Sequence, residues 1–327
     1  HLARPAVLAD SLDPDRFEVV FASNGRFDGL FGSLPFRREL IQSISSERFL
    51  RALAAGRPLY DRQTLADYVE ADLELIGRVQ PDVVVADFRL SLSVSARLAK
   101  VPYVTISNVY WSPFARQRYP VPDLPLTHVI GVTLAQRLFD LVRPVAFAGH
   151  ARVLNAVRRR YGLPSLGSDL RRVYTDADQV LYADLPGLVD TAPLPSSHRF
   201  IGPVQWSPAL PLPDWWNRLD PRAPVVYLTP GSSGASAGLP ELAAELACLP
   251  ANVLVATAGK NWPERGVPGV FAADYLPGAE AAERADLVVC NGGSPTTWQA
   301  LAAGVPVVGM PGNLDQHLNM QALVNAG

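Results

Sequence analysis

Residues 286–319 read DLVVCNGGSPTTWQALAAGVPVVGMPGNLDQHLN. Leu287, Val288 and Val289 are apolar and mostly β-branched, which predicts a strand. Gly292 and Gly293 then let the backbone turn sharply and approach another molecule closely. Ser294 reads as the N-cap of a helix, with Pro295 at the first helical position, where a missing N–H costs nothing. Thr296, Thr297, Trp298 and Gln299 carry that helix toward Gly304, a natural left-handed cap. A second strand over 305–310 leads into a polar loop that holds Asn313, Asp315, Gln316 and Asn319. The helix start offers unpaired N–H groups and a positive dipole end, which favour a phosphate. Side chains that both donate and accept suit a ligand rich in hydroxyls. A diphosphate beside hydroxyls describes a nucleotide sugar. Taken singly, the glycine pair is also compatible with an ordinary βα turn, and the Asp-Gln pair with a solvated loop.

The rest of the chain repeats the same strand and helix rhythm. Apolar strands are predicted at 17–22, 82–86, 103–106, 179–182 and 199–201, with helices over 64–79, 91–99 and 132–161. A second series of strands follows at 225–229, 253–257, 270–271, 287–290 and 305–309. This alternation predicts an α/β fold with parallel sheets covered on both faces. Between the series lie Pro203, Pro208, Pro211, Pro213, Pro221 and Pro224 with Trp206, Trp215 and Trp216, the composition of a stiff joint. The expected organisation is a Rossmann-like domain over 1–204, a proline-rich linker over 205–222 and a second Rossmann-like domain over 223–327. Ligands gather at the carboxyl ends of parallel strands. In the second domain those ends release Gly231-Ser232-Ser233-Gly234, Ala258-Gly259-Lys260, 291–296 and 312–319.

Composition narrows the function classes. The 327 residues are 48% hydrophobic and 18% charged, enough for substantial cores. A formal net charge of −2 gives no electrostatic footprint for nucleic acid. Of the 29 basic residues only two are lysines, Lys100 and Lys260. Cys248 and Cys290 make neither a disulfide framework nor a metal spacing, and Cys290 falls in an apolar run. No apolar stretch reaches the roughly 18 residues of a membrane span, and no secretory signal is visible, so a cytoplasmic enzyme is expected. No G-x-G-x-x-G fingerprint of a nicotinamide enzyme follows a strand.

The 286–319 block resembles the donor-binding signature of the family 1 nucleotide-sugar glycosyltransferases, in particular the bacterial branch that modifies natural products and lipids. That pattern runs His-Gly-Gly-x-Gly-Thr, Glu/Gln-Ala-Leu, Gly-Val-Pro, Pro, Asp-Gln-x-x-Asn. Here it is matched by Asn291-Gly292-Gly293-Ser294-Pro295-Thr296, Gln299-Ala300-Leu301, Gly304-Val305-Pro306, Pro311 and Asp315-Gln316-His317-Leu318-Asn319. The resemblance implies the GT-B fold, two Rossmann-like domains facing a cleft, with acceptor in the first and donor in the second. It implies that Thr296 and the surrounding amides hold the diphosphate, that Gln299 reaches the ribose, and that Asp315 and Gln316 bind the sugar. Tyr275 stands where relatives stack an aromatic on the base, and Gly231, Ser232 and Ser233 match a Gly-Ser-Ser donor loop. Two positions depart from the pattern: Asn291 replaces a phosphate-facing His, and Gly278 replaces a Gln.

His1-Leu2-Ala3-Arg4-Pro5 resembles the family's Gly-His-x-x-Pro segment, which follows the first strand. By that resemblance His1 is the general base and Asp87, at the end of a predicted strand, orients it. An imidazole titrates near neutrality, and a carboxylate beside it raises its basicity. The implied reaction is inverting, metal-independent transfer of a hexose, with UDP-glucose as first expectation and a dTDP-deoxysugar compatible. No cofactor is expected beyond the nucleotide sugar. The acceptor is a small molecule or lipid, and 109–114 (Val-Tyr-Trp-Ser-Pro-Phe) is either an apolar lining for it or core. Oligomeric state is not legible. Against the pattern the chain lacks the first strand and the C-terminal end, so a fragment with an unpaired sheet seam is expected. Two alternatives remain open: a nucleotide-sugar epimerase of the same fold, and a non-catalytic nucleotide-sugar-binding or helper protein.

Overall fold

A computed structural model of the chain describes residues 2–32, 34–234, 238–260, 262–263 and 268–327. The fold is α/β, divided into two compact units. One takes in Leu34–Val204 with the N-terminal segment as far as Arg26, and the other is built from Gln205–Asn325 with the short segment that begins at Phe27.

In the first unit β1 (Val20–Ser23) and β2 (Arg37–Leu40) pair in parallel. β3 (Val84–Asp87), β4 (Tyr103–Ser107), β5 (Gln179–Tyr182) and β6 (His198–Phe200) form a parallel sheet in sequential order. Helix Arg62–Val79 starts at Asp61, whose Oδ1 accepts from Thr64 N at 2.8 Å, a side-chain cap of the usual kind. It buries Leu65 and Val69 against Val94, Leu154 and Val157. Helix Val132–Arg160 carries Pro144 in its interior. Its C-terminal half is packed through Ala151, Leu154 and Val157, while Leu134, Leu138, Leu141 and Val145 on its first half are exposed. Spaced at four, three and four residues, those side chains share one helix face.

In the second unit β7 (Val225–Thr229), β8 (Asn252–Ala256), β9 (Val270–Ala273), β10 (Leu287–Cys290) and β11 (Val307–Gly309) form one parallel sheet ordered β11-β10-β7-β8-β9. β7 and β8 are buried along their whole length, as central parallel strands require. Alternate residues supply the two faces. Val225, Tyr227, Leu254, Val288 and Cys290 enter one cluster; Val226, Leu228, Val253, Val255 and Val289 enter the other. Each such Val or Leu side chain contributes about 1.5–3 kcal/mol on burial.

Two sequence expectations are corrected here, and one strand was missed. Strand β2 was not anticipated, because Arg37-Arg38-Glu39-Leu40 has no apolar pattern. The glycine-turn helix runs Ser294–Ala302 with Gly293, not Ser294, at the N-cap; Gly304 follows its end at φ +71°. The expected polar loop after β11 is instead the first turn of helix Leu314–Ala326, capped by Asn313, whose Oδ1 accepts from Gln316 N at 3.2 Å. Asn-x-x-Gln is a capping-box pattern, and its polarity serves the helix start. Among the described residues no helix is long and apolar enough to cross a membrane.

Candidate active site

The second sheet reverses direction at its centre. From β7 the chain builds β8 and β9 to one side, then β10 and β11 to the other. Ligands of open parallel sheets sit at such a switch point, beyond the carboxyl ends. Cys290 pairs with Thr229, so β7 and β10 end level and their following loops lie side by side. A side chain at Gly231 would place its Cβ 3.0 Å from Asn291 Nδ2, and one at Gly234 would lie 2.8 Å from Asn291 Cβ. The Gly-Ser-Ser-Gly loop is therefore closed directly onto the Asn291 turn.

That turn is held from several sides. Asn291 is buried, and its Oδ1 accepts from Gly293 N at 3.0 Å. Gly292 sits at φ +72°, in the left-handed region, and its added Cβ would meet Met320 Cγ at 2.5 Å. Gly309 faces the same methionine at 2.6 Å. Asn319, fully buried, donates through Nδ2 to Gly292 O at 2.9 Å and Thr297 Oγ1 at 3.0 Å. Helix Ser294–Ala302 leaves this turn with no side-chain cap, with Ser294 buried and Thr296 half-buried in its first turn.

The remaining donor candidates divide. Gln316 is almost fully buried; Nε2 donates to Ser233 Oγ at 3.2 Å and Oε1 accepts from Gly312 N at 2.9 Å. Its amide thus ties two carboxyl-end loops together. Asp315 is partly buried in the same helix turn, and Ser232 lies in the loop beside Ser233. Gln299 Nε2 donates to Trp206 O at 2.5 Å, which turns it toward the proline-rich segment. A side chain at Gly278 would come within 2.7 Å of Gln299 Oε1, a steric reason for glycine at that departure from the pattern. Tyr275, half-buried beyond β9, places its hydroxyl 3.4 Å from Ala258 O.

The first unit holds a buried polar network at the carboxyl ends of three adjacent strands. Asp87 closes β3, Asn108 follows β4, and Asp184 lies two residues beyond β5. Arg4, in helix Ala3–Asp10, donates to both oxygens of Asp87 at 2.6 and 2.9 Å and to Asn108 Oδ1 at 2.8 Å. Asn108 Nδ2 passes the chain on to Asp184 Oδ1 at 2.9 Å, and Val109 N donates to Asp184 Oδ2 at 2.6 Å. Burial alone would lower the pKa of Arg4, but the charge and hydrogen bonds of Asp87 reverse this and the net shift is upward. Its guanidinium stays charged. His1 lies outside the described residues. Val109 and Tyr110 are fully buried, so the first part of the 109–114 segment is core. Trp111 is partly exposed, edge-on to Tyr174 at 5.0 Å.

No known protein-family model matches the chain. Curated relatives do. A PGL/p-HBAD biosynthesis glycosyltransferase of Mycobacterium tuberculosis is 53% identical over 327 residues, covering 100% of this chain and 76% of its own length. A PGL/p-HBAD biosynthesis rhamnosyltransferase of Mycobacterium bovis is 52% identical, covering 100% of this chain and 73% of its own length. The chain belongs to the PGL/p-HBAD biosynthesis glycosyltransferases. Membership alone does not fix activity: a Mycobacterium bovis relative, 48% identical over 264 residues and covering 81% of this chain and 71% of its own length, is described as inactive. Among solved structures, the spinosyn rhamnosyltransferase SpnG complexed with thymidine diphosphate superposes with TM-score 0.63 at 18% identity, covering 100% of this chain and 82% of that one. The fold shared by this family member is GT-B.

Sequence reading of this glycosyltransferase missed Arg4, Asn108 and Asp184. Arg4 lies 83 positions from Asp87 in sequence, beyond any local pattern. Asn108 and Asp184 had one usable signal, their place just past the ends of β4 and β5, where polar residues on a parallel sheet gather. Among the described residues, no group of three or more His, Cys, Asp or Glu is arranged to hold a metal.

Proposed function

We propose that the chain transfers a hexose or 6-deoxyhexose from a nucleoside diphosphate to a hydroxyl of an apolar acceptor, with inversion and without a metal. The observation that carries this reading is the switch point of the second unit. There the Gly231–Gly234 loop packs onto the Asn291 turn and a helix begins without a side-chain cap. Backbone N–H groups at such a start are fixed dipoles, which stabilise charge growing on a departing diphosphate.

In the proposed step His1 takes the proton of the acceptor hydroxyl. The oxygen bonds to the anomeric carbon as the bond from that carbon to the diphosphate oxygen breaks, and the nucleoside diphosphate leaves with the electron pair. Asp87 stabilises the protonated imidazole, and Arg4 fixes the Asp87 carboxylate. The relatives named rhamnosyltransferases favour a 6-deoxyhexose beside the glucose first expected. The exposed row Leu134, Leu138, Leu141 and Val145 supports an apolar acceptor.

A panel of UDP- and dTDP-hexoses with phenolic and lipid acceptors tests the proposal, with products identified by mass and anomeric configuration. Asp87→Asn is expected to lower kcat by roughly 100-fold or more while UDP and dTDP affinities hold. Equal turnover in the variant would remove Asp87 from the chemistry. A second reading, a non-catalytic nucleotide-sugar-binding protein, is favoured by the inactive relative. It predicts donor binding with no product for any acceptor.

A further inference from the structure

Lys260 lies in the connection that follows β8, next in the sheet to β7, and it is one of only two lysines in the chain. Its Nζ donates to the carbonyl oxygen of Gly234, the glycine packed against Asn291. The side chain is half-buried, and among the described residues no carboxylate lies within ion-pair distance of it. An ammonium group has three donors, and among the described residues this half-buried one has a single acceptor. A partly desolvated cation with that deficit is best satisfied by an anion. Burial also lowers the pKa of Lys260, in keeping with an ammonium that has lost water and gained no charged partner.

The neighbourhood explains where such an anion would come from. At position 291 the chain carries an amide that is neutral at every pH, with its Oδ1 engaged by Gly293 N. The other described residues of the loops leaving β7, β8, β10 and β11 carry no Lys or Arg. Among the described residues of these loops, Lys260 alone brings positive charge to a doubly anionic group at this edge.

We propose that Lys260 binds the diphosphate of the nucleotide donor, supplying the positive charge that Asn291 does not. This rests on the switch point being the donor site. Lys260 exchanges the Gly234 carbonyl for a phosphate oxygen, and its ammonium offsets charge on the leaving group.

Binding of UDP and dTDP, with uridine and thymidine as phosphate-free controls, is measured by calorimetry on the parent, Lys260→Met and Lys260→Arg. Lys260→Met is expected to weaken diphosphate binding by about tenfold to a hundredfold, the size of one charge-assisted hydrogen bond, and to leave nucleoside binding unchanged. Lys260→Arg is expected to retain most of the affinity. Equal diphosphate affinity in parent and Lys260→Met overturns the assignment of Lys260 alone. A parent that binds none of the four compounds overturns the donor site and Lys260 with it.

A second measurement needs no variant and guards against misfolding. With an amine-reactive reagent and peptide mass spectrometry, saturating dTDP or UDP is expected to protect Lys260 while Lys100 labels at its original rate. Equal labelling of Lys260 with and without bound diphosphate rejects the proposal.

Discussion

Asn319 holds the Gly292 turn with a single amide. Its Nδ2 serves Gly292 O and Thr297 Oγ1, so replacing it strands a buried carbonyl. Asn319→Leu is expected to cost about 1–3 kcal/mol in chemical denaturation, the penalty of an unsatisfied buried polar group. Loss of less than a few tenths would show that the turn is held by its other contacts. The Asp-Gln-x-x-Asn run was legible as a polar cluster, but its division of labour was not. Gln316 and Asn319 face inward and brace loops, whereas Asp315 stays partly exposed. Sequence records that an amide is present; only the fold decides whether it meets a backbone or a ligand. Arg4 is the opposite case, a residue inside a recognised segment whose partner, Asp87, was singled out for another reason.

At the scale of elements, the strand, turn and helix of 287–302 were readable because an apolar β-branched run, two glycines and a proline all point the same way. β2 was not, because Arg37, Arg38 and Glu39 form strand through backbone pairing with β1 and offer no burial signal. The start of helix Leu314–Ala326 was read as loop because capping residues and ligand-binding residues share one vocabulary. Gly292 tests how tightly the turn is built. Gly292→Ala meets both the left-handed backbone and Met320, and it is expected to destabilise by about 1–3 kcal/mol. Pairing it with Met320→Ala should recover the steric part and leave the backbone part. No recovery in the double variant would place the whole cost in the dihedral angles.

Over the whole molecule, each unit buries its own core, so unfolding is expected to depart from a single two-state transition. Tryptophan emission can separate the two. Trp206, Trp215, Trp216, Trp262 and Trp298 belong to the second unit, and Trp111 alone to the first. Saturating dTDP or UDP at about 100 times Kd is expected to add ~2.7 kcal/mol to the unit that binds it. The fluorescence melt should therefore rise by several degrees, with a smaller change in far-ultraviolet circular dichroism; an unmoved fluorescence melt would place the nucleotide elsewhere or nowhere. The βα rhythm made the two larger sheets legible. The strand order β11-β10-β7-β8-β9 was not, since periodicity does not say which side of β7 the fourth strand joins. The bare leucines on the first half of helix Val132–Arg160 have a practical corollary at the bench. Purified material would cling to plastic and micelles, and measured rates would drift with surfactant dose before any substrate was varied.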